Sequence, residues 1–390
     1  MKQMFNEIKH KWYLEKLNLI TNTLNKINPS CVLLCYNADA DGLIAAVFIS
    51  KFLKYINSRA NIIEKPVFNF QYDFNWLNSV QQQVNPDAII CVDLPIIQET
   101  DIVNRVSKKS ALIIYDHHLI LNFEKDKLSN NAIYINSRDI NLNIPASYFS
   151  ASLLFNINNF KHSYIPFVAI GLVGDNSLDD FPWVRRNVER FIKLDRNQSI
   201  WDSELGTYTS LLNAYFRANP QLDKSDIVCK MIDLMEKYYV NEVLSKLEKM
   251  YNLRQMLKKV DKDAITNIEN IKKIINSSKS KLICKVLNVS TFSVGIIATR
   301  LAIEFPSFIF CIGFKYKDKI QFELRTNNSN NYNLIILLKL QRKFFKPITS
   351  GGHPKAAGAL INVKDKSKFC ESLSKSLVLY EGGESNDYKG

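Results

Sequence analysis

Seven cysteines are scattered over 390 residues, with no CxxC pair and no Cys/His cluster. That excludes a zinc ribbon and a disulfide-built scaffold, both of which need paired or metal-spaced thiols. Only Cys31 and Cys35 lie close together, and they fall inside an apolar strand-like run. No uninterrupted apolar stretch approaches the ~18 residues of a membrane-spanning helix. The N-terminal MKQMFNEIKHKWYLEKL is studded with charge and lacks the apolar core of a secretory signal. The expected location is therefore the cytoplasm, with no membrane partner. Acids are outnumbered, 38 Asp+Glu against 51 Lys+Arg, for a net charge of +13. Such an excess fits a footprint for an anionic partner or a solvated lysine surface, and composition alone leaves both open. With 46 % hydrophobic and 23 % charged residues the chain reads as globular, of a size for two or three domains.

Short apolar runs alternate with helical stretches along the first half. Residues 30–36 (SCVLLCY) lead through NADADG into GLIAAVFISKFLKYI, and further runs follow at 87–92 (DAIICV), 110–115 (SALIIY) and 132–135 (AIYI). Continuous β-branched runs of this length predict buried parallel strands, and the alternation predicts an α/β fold with a doubly wound sheet. Residues 182–278 are richer in charge, with apolar positions every three or four residues, which predicts a helical connector. Residues 279–380 return to a smaller α/β unit, and the polar tail 381–390 is expected to be disordered. The expected division is thus 1–181, 182–278, 279–380 and the tail.

The acids fall at element ends. Asp39, Asp41, Asp93 and Asp116 each follow a predicted strand, and Asp175 closes the helical FVAIGLVGD. In open parallel sheets ligand sites form at that edge. Two carboxylates two residues apart repel unless a cation lies between them, and hard oxygen ligands suit Mg²⁺ or Mn²⁺, with imidazole favouring Mn²⁺. Alone, the DAD sequence is a weak signal, and an acidic surface loop is the commoner origin of such a pair. Two of the five histidines, His117 and His118, directly follow Asp116. With Asp93 and Asp175, the set suits two metal ions that activate water and neutralise a phosphoryl group. Gly351 and Gly352 before His353 predict a backbone nest for an anion, with His353 as a phosphate donor, although a hairpin turn has the same pattern. Arg325 and Arg300 are candidates for phosphate contact or for pairing with an acid.

The ordered set NADADG, CVD, YDHH, VGD and GGHPKAAG resembles the DHH phosphoesterase superfamily with its DHHA1 C-terminal domain, over about residues 30 to 365. The resemblance implies an N-terminal domain carrying two Mn²⁺ ions, with Mg²⁺ as the alternative, and a smaller domain that grips substrate through GGH across a cleft. ELGTYTSLLNAYFRA, the helix LEKMYNLRQMLKK and SVGIIATRLA resemble the connector and DHHA1 start of RecJ-type single-strand nucleases. The chain ends soon afterwards, so a minimal core without an appended OB-fold is implied. Asn37 departs from the pattern, standing where the family usually carries Asp or His.

On this resemblance Asp39, Asp41, Asp93, His117 and Asp175 are the implied metal ligands, Asp93 bridging both ions. His118 would contact the scissile phosphate or orient a ligand. Asp116 would fix an imidazole tautomer. Arg300, Arg325, Gly351, Gly352 and His353 would hold substrate. The implied activity is phosphodiester hydrolysis of single-stranded DNA or RNA, or of short oligonucleotides, from the 5′ end. A phosphodiesterase for very short RNA, cyclic dinucleotides or another small phosphoester is the alternative chemistry. A non-catalytic replication or repair scaffold is the alternative of another class.

Overall fold

The computed structural model describes residues 7–120, 128–129, 131–195, 198–218, 226–275, 280–327 and 329–382. Helix α1 (Glu7–Ile27) leads into β1 (Cys31–Asn37), α2 (Ala40–Ile56), β2 (Asn61–Val67), α3 (Asn75–Val84), β3 (Ala88–Val92), α4 (Thr100–Ser107), β4 (Ala111–Asp116), β5 (Leu119–Ile120) and β6 (Ala132–Asn136). Strands β2-β1-β3-β4-β6 form one parallel sheet in that order. Alternation along the strands sends Val32, Leu34, Tyr36, Ile90, Val92, Ile113 and Tyr115 to one face. There they meet α2, α5 (Ala146–Asn156) and α6 (Ile165–Gly174). Leu33, Cys35, Ile89, Cys91, Leu112 and Ile114 face the other way, against Leu77 of α3 and Val103 and Val106 of α4. A sheet buried on both faces is why these strands read as unbroken apolar runs.

Strand β2 has no counterpart among the expected runs. Its sequence, NIIEKPV, is broken by Glu64 and Pro66, and it is an edge strand exposed at its start, where such residues are tolerated. In register, β1, β3, β4 and β6 end at one level: Tyr36 pairs with Val92, Val92 with Tyr115, and Asp116 with Asn136. That common level is the carboxyl edge where the site forms.

The stretch expected as a connector holds α7 (Pro182–Val188), α8 (Glu204–Ala218), α9 (Asp226–Met235), α10 (Val240–Tyr251) and α11 (Leu253–Ile275). These helices do not stand clear of the sheets. Leu205, Leu211, Leu212 and Phe216 of α8 enter the main core, and Asn213 Oδ1 accepts the N–H of Ala40 at 2.9 Å. The chain then forms β7 (Leu282–Leu287), α12 (Val294–Glu304), β8 (Ile309–Tyr316), β9 (Lys319–Thr326), α13 (Leu334–Gln341), β10 (Thr349–His353), β11 (Ala356–Asn362) and α14 (Lys366–Glu381). The second sheet runs β5-β10-β11-β9-β8-β7, mixed in direction. Its outer face packs on α13 and α14, with Phe322 stacked on Phe369. Its inner face joins the main core through Phe310, Ile312 and Phe314.

Two expectations change here. The SGGH segment is a strand, not a turn or nest: Gly351 and Gly352 pair with Gly358 and Ala357 on one side and with Ile120 and Leu119 on the other. Their backbone groups are committed to ladders. Cysteine does form one cross-link, Cys284 of β7 to Cys370 of α14, 86 residues apart in sequence, while the other five thiols are free. Sequence spacing carries no sign of such a pair. Of the tail expected to be disordered, Glu381 ends α14, and residues 383–390 lie outside the described residues. Among the described residues no helix is long and apolar enough to cross a membrane.

Candidate metal centre

Five backbone devices bring acids to the carboxyl edge of the parallel sheet. Asp39 caps α2, accepting the Gly42 N–H at 2.9 Å. Gly42 is required there, because a Cβ would lie 2.2 Å from the Asn37 carbonyl oxygen. Asp41, in the first turn of α2, accepts the N–H groups of Ala146 (2.8 Å) and Ser147 (3.1 Å) at the start of α5. Asp93 follows β3 in the left-handed region, φ 59°, and its own N–H bonds Tyr115 O at 2.9 Å. Asp116 ends β4; its Oδ1 accepts the N–H groups of His117 and His118 and lies 2.7 Å from His118 Nδ1. Asp175 caps the C-terminus of α6.

These carboxylates converge on the imidazoles. His117 Nε2 is 3.0 Å from Asp93 Oδ1 and 3.2 Å from Asp175 Oδ2, while His117 Nδ1 is 3.0 Å from the carboxamide oxygen of Asn143. An Nδ1–H donated to that oxygen turns the Nε2 lone pair toward two carboxylate oxygens. Such an arrangement calls for a cation between them, a proton or a metal. Asp41, Asp93 and His117 form one group whose ligand atoms all lie within 4.8 Å of one another; Asp93, Asp116 and His118 form a second, sharing Asp93. Asp116 Oδ2 is buried without a hydrogen-bond partner, as is Asp175 Oδ2 despite its closeness to His117. Hard oxygens and imidazoles around buried, unpartnered carboxylate oxygens fit divalent Mn or Mg.

Asp39 stands apart from both groups. Asn37 Nδ2 donates to Asp39 Oδ2 at 2.5 Å and to Asp93 Oδ2 at 3.2 Å, and Tyr72 donates its hydroxyl to Asn37 Oδ1 at 2.9 Å. The amide of Asn37 thus fills the space between two carboxylates where an acid would have added a third charge.

The charges of this pocket are strongly perturbed. Burial, then the neighbouring Asp93, pushes the Asp39 carboxyl up to about 7. Burial followed by Asp175 holds Asp41 well above the usual range. Burial, with Asp93 reinforcing it, raises Asp175 against the pull of His117. Burial works against a charged His117 and His118, yet the facing carboxylates raise both. Asp116 runs the other way: burial would raise it, and His118, His117 and their hydrogen bonds together lower it. A cluster of acids held up by desolvation and mutual repulsion is what a bound divalent cation relieves.

The second sheet brings His353 over this centre. Its ring lies 5.4 Å from that of His117 and 5.2 Å from that of His118, and the three imidazoles form a third compact group. Burial, then the two histidines, lowers His353 well below its ordinary value. Arg325 lies in the same wall, paired with Glu323 at 3.0 Å. Arg300 does not reach it: its guanidinium, 44 % exposed, donates to Asp261 of α11 at 2.7 Å.

Sequence reading missed three side chains here. Arg138, just past β6, donates to His117 O (2.9 Å) and Asn143 Oδ1 (2.7 Å) and touches His353 Nδ1 (3.0 Å). Arg217, at the end of α8, is half-buried near Asp39, Glu323 and Arg325; desolvation pushes its guanidinium down and the two acids push back. Tyr72 orients Asn37. Arg138 follows a strand at the same sheet edge as Asp93 and Asp116, so the rule that found those acids applied to it as well.

Residues 30–169 match the model of the DHH family, N-terminal domain. This segment is a DHH-family domain. Its Asp116-His117-His118 is the sequence at the centre of the geometry above. RecJ from Thermus thermophilus in complex with Mn²⁺ superposes with a TM-score of 0.60 at 13 % identity, over 93 % of this chain and 54 % of that one. The exonuclease RecJ bound to manganese gives 0.57 at 13 % identity over 93 % of each chain. CDC45 from Entamoeba histolytica gives 0.50 at 9 % identity, over 93 % of this chain and 99 % of that one. At these identities the likeness is one of fold. The chain spans about half the length of the Thermus protein. No curated protein sequence matches it.

Proposed function

We propose that the chain is a metal-dependent phosphodiesterase acting on single-stranded nucleic acid or short oligonucleotides, a RecJ-like exonuclease working from the 5′ end. The observation that carries the reading is the pair of ligand groups sharing Asp93 directly beneath His353 of the opposite sheet. Asp41, Asp93 and His117 would hold one divalent ion and Asp93, Asp116 and His118 the other, with Asp175 beside His117. Mn²⁺ is the ion favoured by the mixed oxygen and imidazole donors. Ions held there supply charge neutralisation at a phosphoryl group and an acidified water at neutral pH.

The protein's own groups do the rest. Asn143 fixes the His117 tautomer, and Asp116 fixes His118 through its Nδ1. Arg138, Arg217 and Arg325, together with His353, supply donors for phosphate oxygens on either side of the scissile bond. These groups come from both sheets, so a substrate has to enter between them, which a flexible single strand does more readily than a stiff duplex. The 5′ polarity rests on the resemblance to RecJ-type nucleases.

The test is a gel assay on 5′- and 3′-labelled single-stranded DNA and RNA of graded length with Mn²⁺. The expected result is metal-dependent release of nucleotides from the 5′ end of strands of every length. Cleavage limited to the shortest substrates favours a small-phosphoester enzyme. No hydrolysis of any substrate by protein loaded with metal favours a scaffold.

A further inference from the structure

The face of the second sheet that meets the metal centre has a composition fixed by register. Gln321, Glu323 and Arg325 of β9 alternate onto one side. Across the ladder Arg325 stands opposite Ala356 and Ala356 opposite His353; in the next row Glu323 stands opposite Gly358 and Gly358 opposite Gly351. A phosphate-binding row of Arg325 and His353 is therefore flanked by a row with one carboxylate and two glycines. A Cβ on Gly358 would meet only Gln321 Nε2 at 3.2 Å and Phe322 O at 3.5 Å. The floor beside Glu323 is glycine backbone edged by the carboxamides of Gln321 and Gln98.

Glu323 is 8 % exposed and rigidly held. Its Oε1 accepts from Asn69 Nδ2 at 2.8 Å and from Gln321 Nε2 at 3.4 Å, and its Oε2 lies 3.0 Å from Arg325 Nη2, which leaves the second lone pair of Oε2. A carboxylate has about four acceptor sites, so acceptor capacity remains. In a wall lined by Arg325, Arg217, Arg138 and His353 this acid opposes phosphate binding, and it belongs to neither ligand group. Its lone pairs suit hydroxyl donors. Two residues along a strand cover ~6.8 Å, so a phosphate held by Arg325 places its own sugar, rather than the more distant base, over the glycine row.

Resting on the phosphodiesterase reading above, we propose that Glu323 accepts a hydrogen bond from the ribose 2′-hydroxyl of the bound nucleotide, so that the cleft selects ribonucleotide over deoxyribonucleotide strands. A hydrogen bond to a charged acceptor corresponds to a preference of about tenfold or more. If Glu323 only steadies Arg325, its removal weakens both sugars alike.

The experiment compares the full chain with Glu323→Ala and Glu323→Gln. It measures hydrolysis of matched RNA and DNA trinucleotides with Mn²⁺, and calorimetric binding of ribo- and deoxyribonucleoside 5′-monophosphates. The expected result is a ribo preference of about tenfold or more in wild type, lost in Glu323→Ala and partly kept in Glu323→Gln, whose carbonyl still accepts. Equal affinities in wild type, or an unchanged ratio in Glu323→Ala with both sugars weakened, overturns the proposal. Binding reads the sugar preference even without turnover, so a ribo preference with no hydrolysis supports Glu323 and overturns the hydrolase reading instead. Binding of neither nucleotide overturns both.

Discussion

Asn37 is the residue where chemistry and sequence diverge most. Its amide donates to Asp39 and Asp93 and is oriented by Tyr72, so in the metal-free protein it relieves repulsion that an acid there would aggravate. Asn37→Asp is expected to destabilise the metal-free protein by about 1–3 kcal/mol, the cost of a buried charge without its hydrogen bonds, and to regain that stability in Mn²⁺. Thermal unfolding with and without Mn²⁺ checks this: the metal-induced rise in Tm should exceed that of wild type, and an equal rise places residue 37 outside the metal's reach. The acids and the histidine pair were legible in the sequence because each follows an apolar run, a strand for Asp39, Asp41, Asp93 and Asp116 and the helix α6 for Asp175. Arg138, just past β6, lay within reach of the same rule, whereas Arg217 and Tyr72 did not, since an isolated arginine or tyrosine has no periodicity and only folding brings position 72 beside 37 and position 217 beside 39.

At the scale of elements, legibility followed burial. β1, β3, β4 and β6 are central or covered and read as apolar runs, whereas β2, an edge with Glu64 and Pro66, did not. β5 is two residues long and exists only because β10 lies beside it. The glycines of β10 carry turn propensity, and tertiary pairing on both sides overrides it. Glu64 of β2 supplies a prediction at this scale. It is 7 % exposed against α2 and α9, with Ser50 and Cys229 as weak partners, and burial raises its carboxyl from 4.5 to about 7. Between those values the native state keeps a proton that the unfolded chain has released, so stability falls as pH rises through that window. Glu64→Gln removes the group and hence the fall. Its stability relative to wild type should improve by about 2–3 kcal/mol between about pH 5 and about pH 8. Urea unfolding of both proteins at the two pH values checks it; a constant difference contradicts a protonated Glu64.

The two sheets of the molecule share one apolar core. Asn69 to Glu323, Asp73 to Lys319 and Arg138 to His353 cross between the N-terminal and C-terminal units, and β5 carries a strand of the first unit into the second sheet. His353 reaches the centre from the far sheet, so His353→Ala should leave the Mn²⁺ content unchanged, weaken binding of short oligonucleotides and slow their turnover through lost alignment. A long strand should compensate through the +13 surface, and that compensation should fade as salt rises. Kinetics on a dinucleotide and a long strand at low and high salt check this; equal losses on both at every salt contradict it. The two α/β units were legible in the sequence, but their docking was not, because the apolar contacts of Phe310, Ile312 and Phe314 with the main core and the polar pairs such as Asn69–Glu323 join positions far apart in the chain.

Asp93 is the carboxylate shared by both ligand groups. Metal analysis of purified wild type and Asp93→Asn after loading with Mn²⁺, with the hydrolysis rate of a single-stranded oligonucleotide measured on the same samples, tests it most directly. The expected result is two ions per wild-type chain and, for a folded Asp93→Asn, loss of bound metal together with a rate at background. Two retained ions and a rate near wild type in Asp93→Asn would contradict the shared centre.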